Sequence, residues 1–132
     1  MGFKIRNLSK DSPVCERALL ADSFWKRAKG LMFQTGWEDF DGLLLSPCRS
    51  IHTFGMRMVI DVCFLDPEHR VMKSLDSLGP WRSAHGGRHS YATLELPAGT
   101  LERTGTREGD LLALEGVEKR QTPAGSDEGR PC

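Results

Sequence analysis

The sequence predicts a mainly β fold: a compact, mostly antiparallel β-sandwich or barrel of six to seven short strands with one short helix. Three observations carry this. Apolar residues recur at alternate positions in several short runs, the period of a pleated strand with one face on a core. Fourteen glycines and seven prolines in 132 residues supply many turns. No long helical stretches alternate with the strand-like runs, which argues against parallel βαβ winding.

Taken in order, residues 3–8 read as an opening strand and 14–21 as a second, separated by the turn residues Asp11, Ser12 and Pro13. Asp22 or Ser23 can cap a short helix over 24–31, where Phe24, Ala28 and Leu31 fall at helical spacing and Gly30 weakens the last turn. Residues 37–41 form a loop, and 42–46, with three consecutive leucines, a buried strand cut off by Pro47. The chain is organised around 47–67, PCRSIHTFGMRMVIDVCFLDP. There Met58, Ile60, Val62 and Phe64 alternate with Val59, Asp61, Cys63 and Leu65, so both faces are apolar except for one carboxylate. A strand of that kind is central, and Asp61 needs a partner, because an isolated buried charge is very costly. Arg57, Arg49 and His52 are the nearest in sequence; backbone amides are the alternative.

Asp66-Pro67-Glu68-His69 is a hairpin-type turn, and residues 70–75 return as the paired strand. Periodicity is lost over 76–90, which gathers Gly79, Pro80, Trp81, His85, Gly86, Gly87 and His89; a loop of that length in a compact domain is usually functional or mobile. Residues 91–96 are a further strand, 100–104 one helical turn ending at Gly105, and 111–114 the last strand. From about Glu118 there is almost nothing to bury. Residues 1–117 are therefore read as a single mostly-β domain and 118–132 as a disordered tail.

Lys plus Arg and Asp plus Glu number 18 each, so no net field draws the chain to nucleic acid. No apolar run reaches the length of a membrane span, and the N-terminus lacks the apolar region of a secretory signal, so a cytoplasmic protein is expected. The four cysteines, Cys15, Cys48, Cys63 and Cys132, are irregularly spaced and read as reduced thiols rather than a disulfide framework.

Several chemistries can be set against plainer readings. Cys48-x3-His52 and His85-x3-His89 offer zinc-ligand types, but neither CxxC nor HExxH is present and the surroundings are β-like, so no metal is expected. Cys48, beside Arg49 and near His52, has the neighbours of an activated thiol but no nucleophile signature. Asp61 and Glu95, each on a predicted strand, would make an acid/base pair if they faced each other in one cleft; the plainer reading ties Asp61 to Arg57 or to amides. His52, Arg57, Trp81, Tyr91, His85 and the glycine-rich loop offer a binding surface at one end of a β-scaffold. Gly86-Gly87 lacks the Lys and the strand-to-helix context of a phosphate loop.

RAKGLMF at 27–33, GLLL, HTFGMRMVIDVCFLD, YATLELPAGTLERTG and EGDLLAL together resemble the bacterial and archaeal domain-of-unknown-function 192 family over about residues 14–115. The resemblance implies a compact β-sandwich or barrel with a short helix. Its aromatic, Met, basic and Asp pattern falls on Phe54, Met56, Arg57 and Asp61; its LE-x-x-aG segment on Leu94, Glu95 and Gly99; its Gly-Asp on Gly109 and Asp110. It lends no catalytic residue and no cofactor. The leading expectation is thus a module that binds a small ligand or a partner protein through His52, Arg57, Asp61, Trp81 and His85. A small hydrolase using Asp61 with Glu95, or Cys48 with His52, is the alternative, and a structural subunit of a larger bacterial assembly the third.

Overall fold

The computed structural model describes residues 2–22, 31, 36–37 and 39–116. The strands are β1 (Phe3–Asn7), β2 (Ser12–Ala21), β3 (Gly42–Leu45), β4 (Ser50–His52), β5 (Ile60–Leu65), β6 (Val71–Leu78), β7 (Ser83–His85), β8 (Ala92–Pro97) and β9 (Leu112–Glu115). One short helix, α1 (Thr100–Thr104), precedes β9. Seven strands form a curled sheet, a half-barrel in the order β6-β5-β8-β3-β2-β1-β9, and β4 pairs with β7 in a small second sheet. Among the described residues every strand pairing is antiparallel except β2 with β3. A bridge between Arg70 and Leu111 joins the outer strands at one end.

The mainly β fold class is as the alternation predicts. Strand number is higher than expected, because 76–90 is not one loop: β6 runs on to Leu78 and β7 occupies Ser83–His85. β5 begins at Ile60, leaving Val59 42% exposed. The helix expected over 24–31 and the tail over 118–132 lie outside the described residues.

Both faces of the large sheet are covered, and this sets the rest. β5 is buried along its whole length, and β8 from Ala92 to Leu96. Asp61, Cys63 and Leu65 point to the face that carries Ile5, Leu94, Leu96 and Leu101 of α1. Ile60, Val62 and Phe64 point to the other, with Leu43, Leu45, Ile51 and Met56, beneath the small sheet. Gly86 permits that cover to lie close: a Cβ there would sit 2.5 Å from the Phe64 ring. The Asp66 turn is closed by Glu68 and Arg70 amides donating to the Asp66 carboxylate, both at 2.9 Å. α1 ends at Gly105 in the left-handed region (φ 71°), where Thr106 N–H reaches the Leu101 carbonyl at 3.0 Å.

Candidate functional site

Asp61 lies on β5, between β6 and β8 of the large sheet. It is 1% exposed. Ser77 N–H donates to Oδ1 at 2.9 Å, and Gly99 and Leu101 N–H donate to Oδ2 at 3.1 and 2.9 Å. Three backbone amides therefore hold the charge, and the expected partnership with Arg57, Arg49 or His52 does not form. Arg57 is exposed, and the ion pairs among the described residues are Arg6–Asp11 and Lys10–Asp110. Asp61 ties the first turn of α1 to the end of β6, sealed from solvent. It belongs to the architecture and not to an open site.

Glu95 has the opposite surroundings. In the β5–β8 register Asp61 faces Leu96 while Val62 faces Glu95, and directly paired residues project to the same side of a sheet. Asp61 and Glu95 consequently sit on opposite faces, which removes the acid/base pair. Glu95 is 3% exposed among Leu43 and Val62, and no hydrogen bond or ion pair meets it among the described residues. Burial pushes its carboxyl up to about 8, so it is largely protonated at neutral pH.

The cysteines are equally distant from nucleophilic chemistry. Cys48 is fully buried and disulfide-bonded, which corrects the expectation that all four thiols are reduced. His52 lies exposed on the small sheet, so the Cys48–His52 pair has no reactive thiol. Cys15 and Cys63 are free but buried; burial, then the nearby Asp61, pushes Cys63 up to about 12. No group of three or more metal-ligand side chains occurs among the described residues.

The remaining residues converge on the small sheet. Ser50 pairs with His85, Ile51 with Ala84 and His52 with Ser83. Ile51 and Ala84 pack inward on the core, so His52, Ser83 and His85 share the outward face. The same alternation carries Phe54 and Trp81 outward beyond the strand ends. Their rings complete a ladder: His52 stacks on Phe54 at 5.0 Å, and Phe54 on Trp81 at 5.8 Å, with interplanar angles of 29° and 25°. Phe54 is 46% and Trp81 70% exposed.

Thr53 holds this ladder from below. It is fully buried; its hydroxyl donates to the Gly79 carbonyl at 2.7 Å and accepts from Arg82 N–H at 2.8 Å. Its backbone N–H donates to the Arg82 carbonyl at 2.7 Å, and its carbonyl accepts from Trp81 N–H at 3.1 Å. Trp81 is held at φ 62° and Ser77, near the end of β6, at φ 56°. Non-glycine residues in that region cost on the order of 1 kcal/mol each. The site expected from the sequence includes His52, Trp81 and His85 but not Phe54. The period-2 steps His52–Phe54 and Trp81–Ser83–His85 were the available signal.

The model of the DUF192 family, described as uncharacterized ACR, matches residues 6–114. The chain belongs to this family. A UPF0127 protein of Pyrococcus horikoshii is 37% identical over 110 residues, 81% of this chain and 91% of that protein. A UPF0127 protein of Thermococcus kodakarensis is 32% identical over 122 residues, 89% of this chain and 76% of its own length. A crystal structure of a Novosphingobium aromaticivorans protein of unknown function has a TM-score of 0.73 at 24% identity, covering 86% of this chain and 84% of that one. At that identity the likeness carries the fold alone. In this DUF192 domain the family pattern thus divides in two: Asp61, Gly99, Gly109 and Asp110 secure the scaffold, while Phe54 and Arg57 reach the surface.

Among the described residues no helix is long and apolar enough to cross a membrane.

Proposed function

We propose that this domain is a binding module whose recognition surface is the His52–Phe54–Trp81 ladder, flanked by Arg57 and His85, and that it takes a small ligand or a segment of a partner protein. The observation that supports this is the exposed stack on a buried pin. An isolated surface tryptophan is free to reorient. Trp81 instead has its backbone fixed by Thr53, in a conformation that other residues rarely adopt. Rings held in place before a ligand arrives lose little freedom on binding, which favours affinity. An exposed indole offers stacking worth about 1–3 kcal/mol to a flat or ring-bearing group. Asp61 enters only as support: it anchors Ser77, two residues before the Gly79 carbonyl that Thr53 grips.

The test is amide NMR of the isotopically labelled protein with neutral ring ligands, glucose and adenosine, and with short aromatic peptides. Binding should move the signals of residues 52–54 and 81–85, and Trp81→Ala should weaken it at least about tenfold. Shifts confined to other surfaces, or equal affinity in Trp81→Ala, would remove the proposal.

A further inference from the structure

A cleft of about 620 Å³ opens between β6 and the β7 strand, lined among others by Lys73, Leu75, Ser77, Pro80, Arg82 and Ser83. Its volume lies in the range of small-ligand sites. The connection that carries Trp81 forms its rim, since Pro80 and Arg82 flank that residue on either side. From the platform and this cleft together we infer a single site for a small organic anion: a ring that stacks on Trp81, bearing a phosphate or carboxylate group that Lys73 and Arg82 receive. The inference rests on the binding reading above and names the ligand's chemistry.

Three features argue for an anion. The polar side chains lining the cleft are two cations, Lys73 and Arg82, and two hydroxyls, Ser77 and Ser83, with no carboxylate. Neither hydroxyl has a hydrogen-bond partner among the described residues, and Lys73 uses one donor, to the His85 carbonyl at 3.1 Å. Asp76, the acid of β6, alternates away from Lys73 and Leu75 and acts on Cys63 at the opposite face of the sheet.

The second feature is wider. Residues 47–60 and 79–91, which build the platform and its surroundings, contain Arg49, Arg57, Arg82, Arg88 and three of the four histidines, but no Asp or Glu. At the chain's average density, those 27 residues would hold between three and four carboxylates. In a protein of zero formal charge, these two segments carry cations and no negative side chain. The third feature is chemical: guanidinium and ammonium groups lining a cleft whose rim segment carries an exposed indole match both halves of a ring-bearing anion.

Amide NMR titrations with AMP against adenosine, and glucose 6-phosphate against glucose, separate the two halves of the site; inorganic phosphate serves as competitor. The expected result is at least about tenfold tighter binding of one phosphorylated ligand than of its neutral counterpart. The gain should fall with added salt, and amide shifts should centre on residues 73–84. Lys73→Gln with Arg82→Gln should abolish the gain, and each single substitution should reduce it, so a poorly folded double variant leaves two further readings. Equal binding of charged and neutral ligands, lost in Trp81→Ala, would overturn the anion inference while the platform survives. A gain indifferent to Lys73 and Arg82 would also overturn it. No binding by any of the five at millimolar concentration would overturn both.

Discussion

Asp61 and Glu95 are both buried carboxyl groups on adjacent central strands, one residue apart in register, yet the fold treats them in opposite ways. Asp61 receives three amide donors and serves as a structural knot. Glu95 receives none among the described residues and is driven toward the neutral acid. Equal burial therefore leaves the two carboxyl groups in different surroundings, set by the number of donors that topology brings to their oxygens. On Asp61's face, α1 and the end of β6 present unsatisfied N–H groups, whereas on Glu95's face the neighbouring strands present leucine and valine side chains.

Removing the knot should have the largest effect. Asp61→Ala leaves three N–H groups without their acceptor, and hydrogen bonds to a charged group contribute about 1.5–3 kcal/mol each. Allowing for relaxation and entry of water, the expected loss is on the order of 4 kcal/mol in urea unfolding at neutral pH. Asp61→Asn should recover part of it, since the amide oxygen can serve one side while its NH2 group opposes the other. A loss below about 1 kcal/mol in both variants would show that the amides are satisfied without the carboxylate.

Glu95 should behave in the reverse sense. Its folded pKa, about 8, lies above the ordinary 4.5, so the folded state holds a proton that the unfolded chain has released between those values. Its contribution is fully present below about 4.5 and is lost as pH rises toward about 8, at about 1.4 kcal/mol per pH unit. Glu95→Gln, a neutral isostere, should therefore melt at a higher temperature than the parent at pH 9 and at nearly the same temperature at pH 4. Equal melting at both pH values would mean that a donor or cation meets Glu95 after all. Asp110 provides the contrast at low pH: burial alone would raise its carboxyl. Asn7 and Lys10, with the Arg107 amide, outweigh that and hold it below the usual value, so its contribution disappears as acid is added.

The same contrast explains which features were legible in the sequence. Strands with a clear period of two, and a helical turn bounded by Pro97-Ala98-Gly99 and Gly105, follow from local steric rules and lie where expected. Asp61's need of a partner was also legible, but its identity was not, because two of the three donors come from residues 38 and 40 positions away. Ala92, Leu94 and Leu96 alternating with Thr93 and Glu95 suggest a strand with one wet face; β8 lies instead between β5 and β3 with both faces covered. The small sheet escaped detection because β4 and β7 have three residues each, within glycine- and proline-rich surroundings that obscure the period. Phe54 was hidden by the same shortness, since its outward direction depends on a pairing 27 residues further along, at Trp81.

A smaller effect tests whether the platform depends on a buried acceptor as the core does. Thr53 is the neutral counterpart of Asp61: its single hydroxyl joins the Gly79 carbonyl to the Arg82 amide beneath the ladder. Thr53→Val keeps the shape and removes both bonds, so a loss of about 1–2 kcal/mol is expected, less than at Asp61. Local opening should exceed the global change. Hydrogen exchange at the Trp81 and Arg82 amides should accelerate more than tenfold relative to those of β5, because the left-handed Trp81 backbone would lose part of the support that offsets its strain. Uniform acceleration across the domain would assign Thr53 to the core and leave the ladder resting on its ring contacts alone.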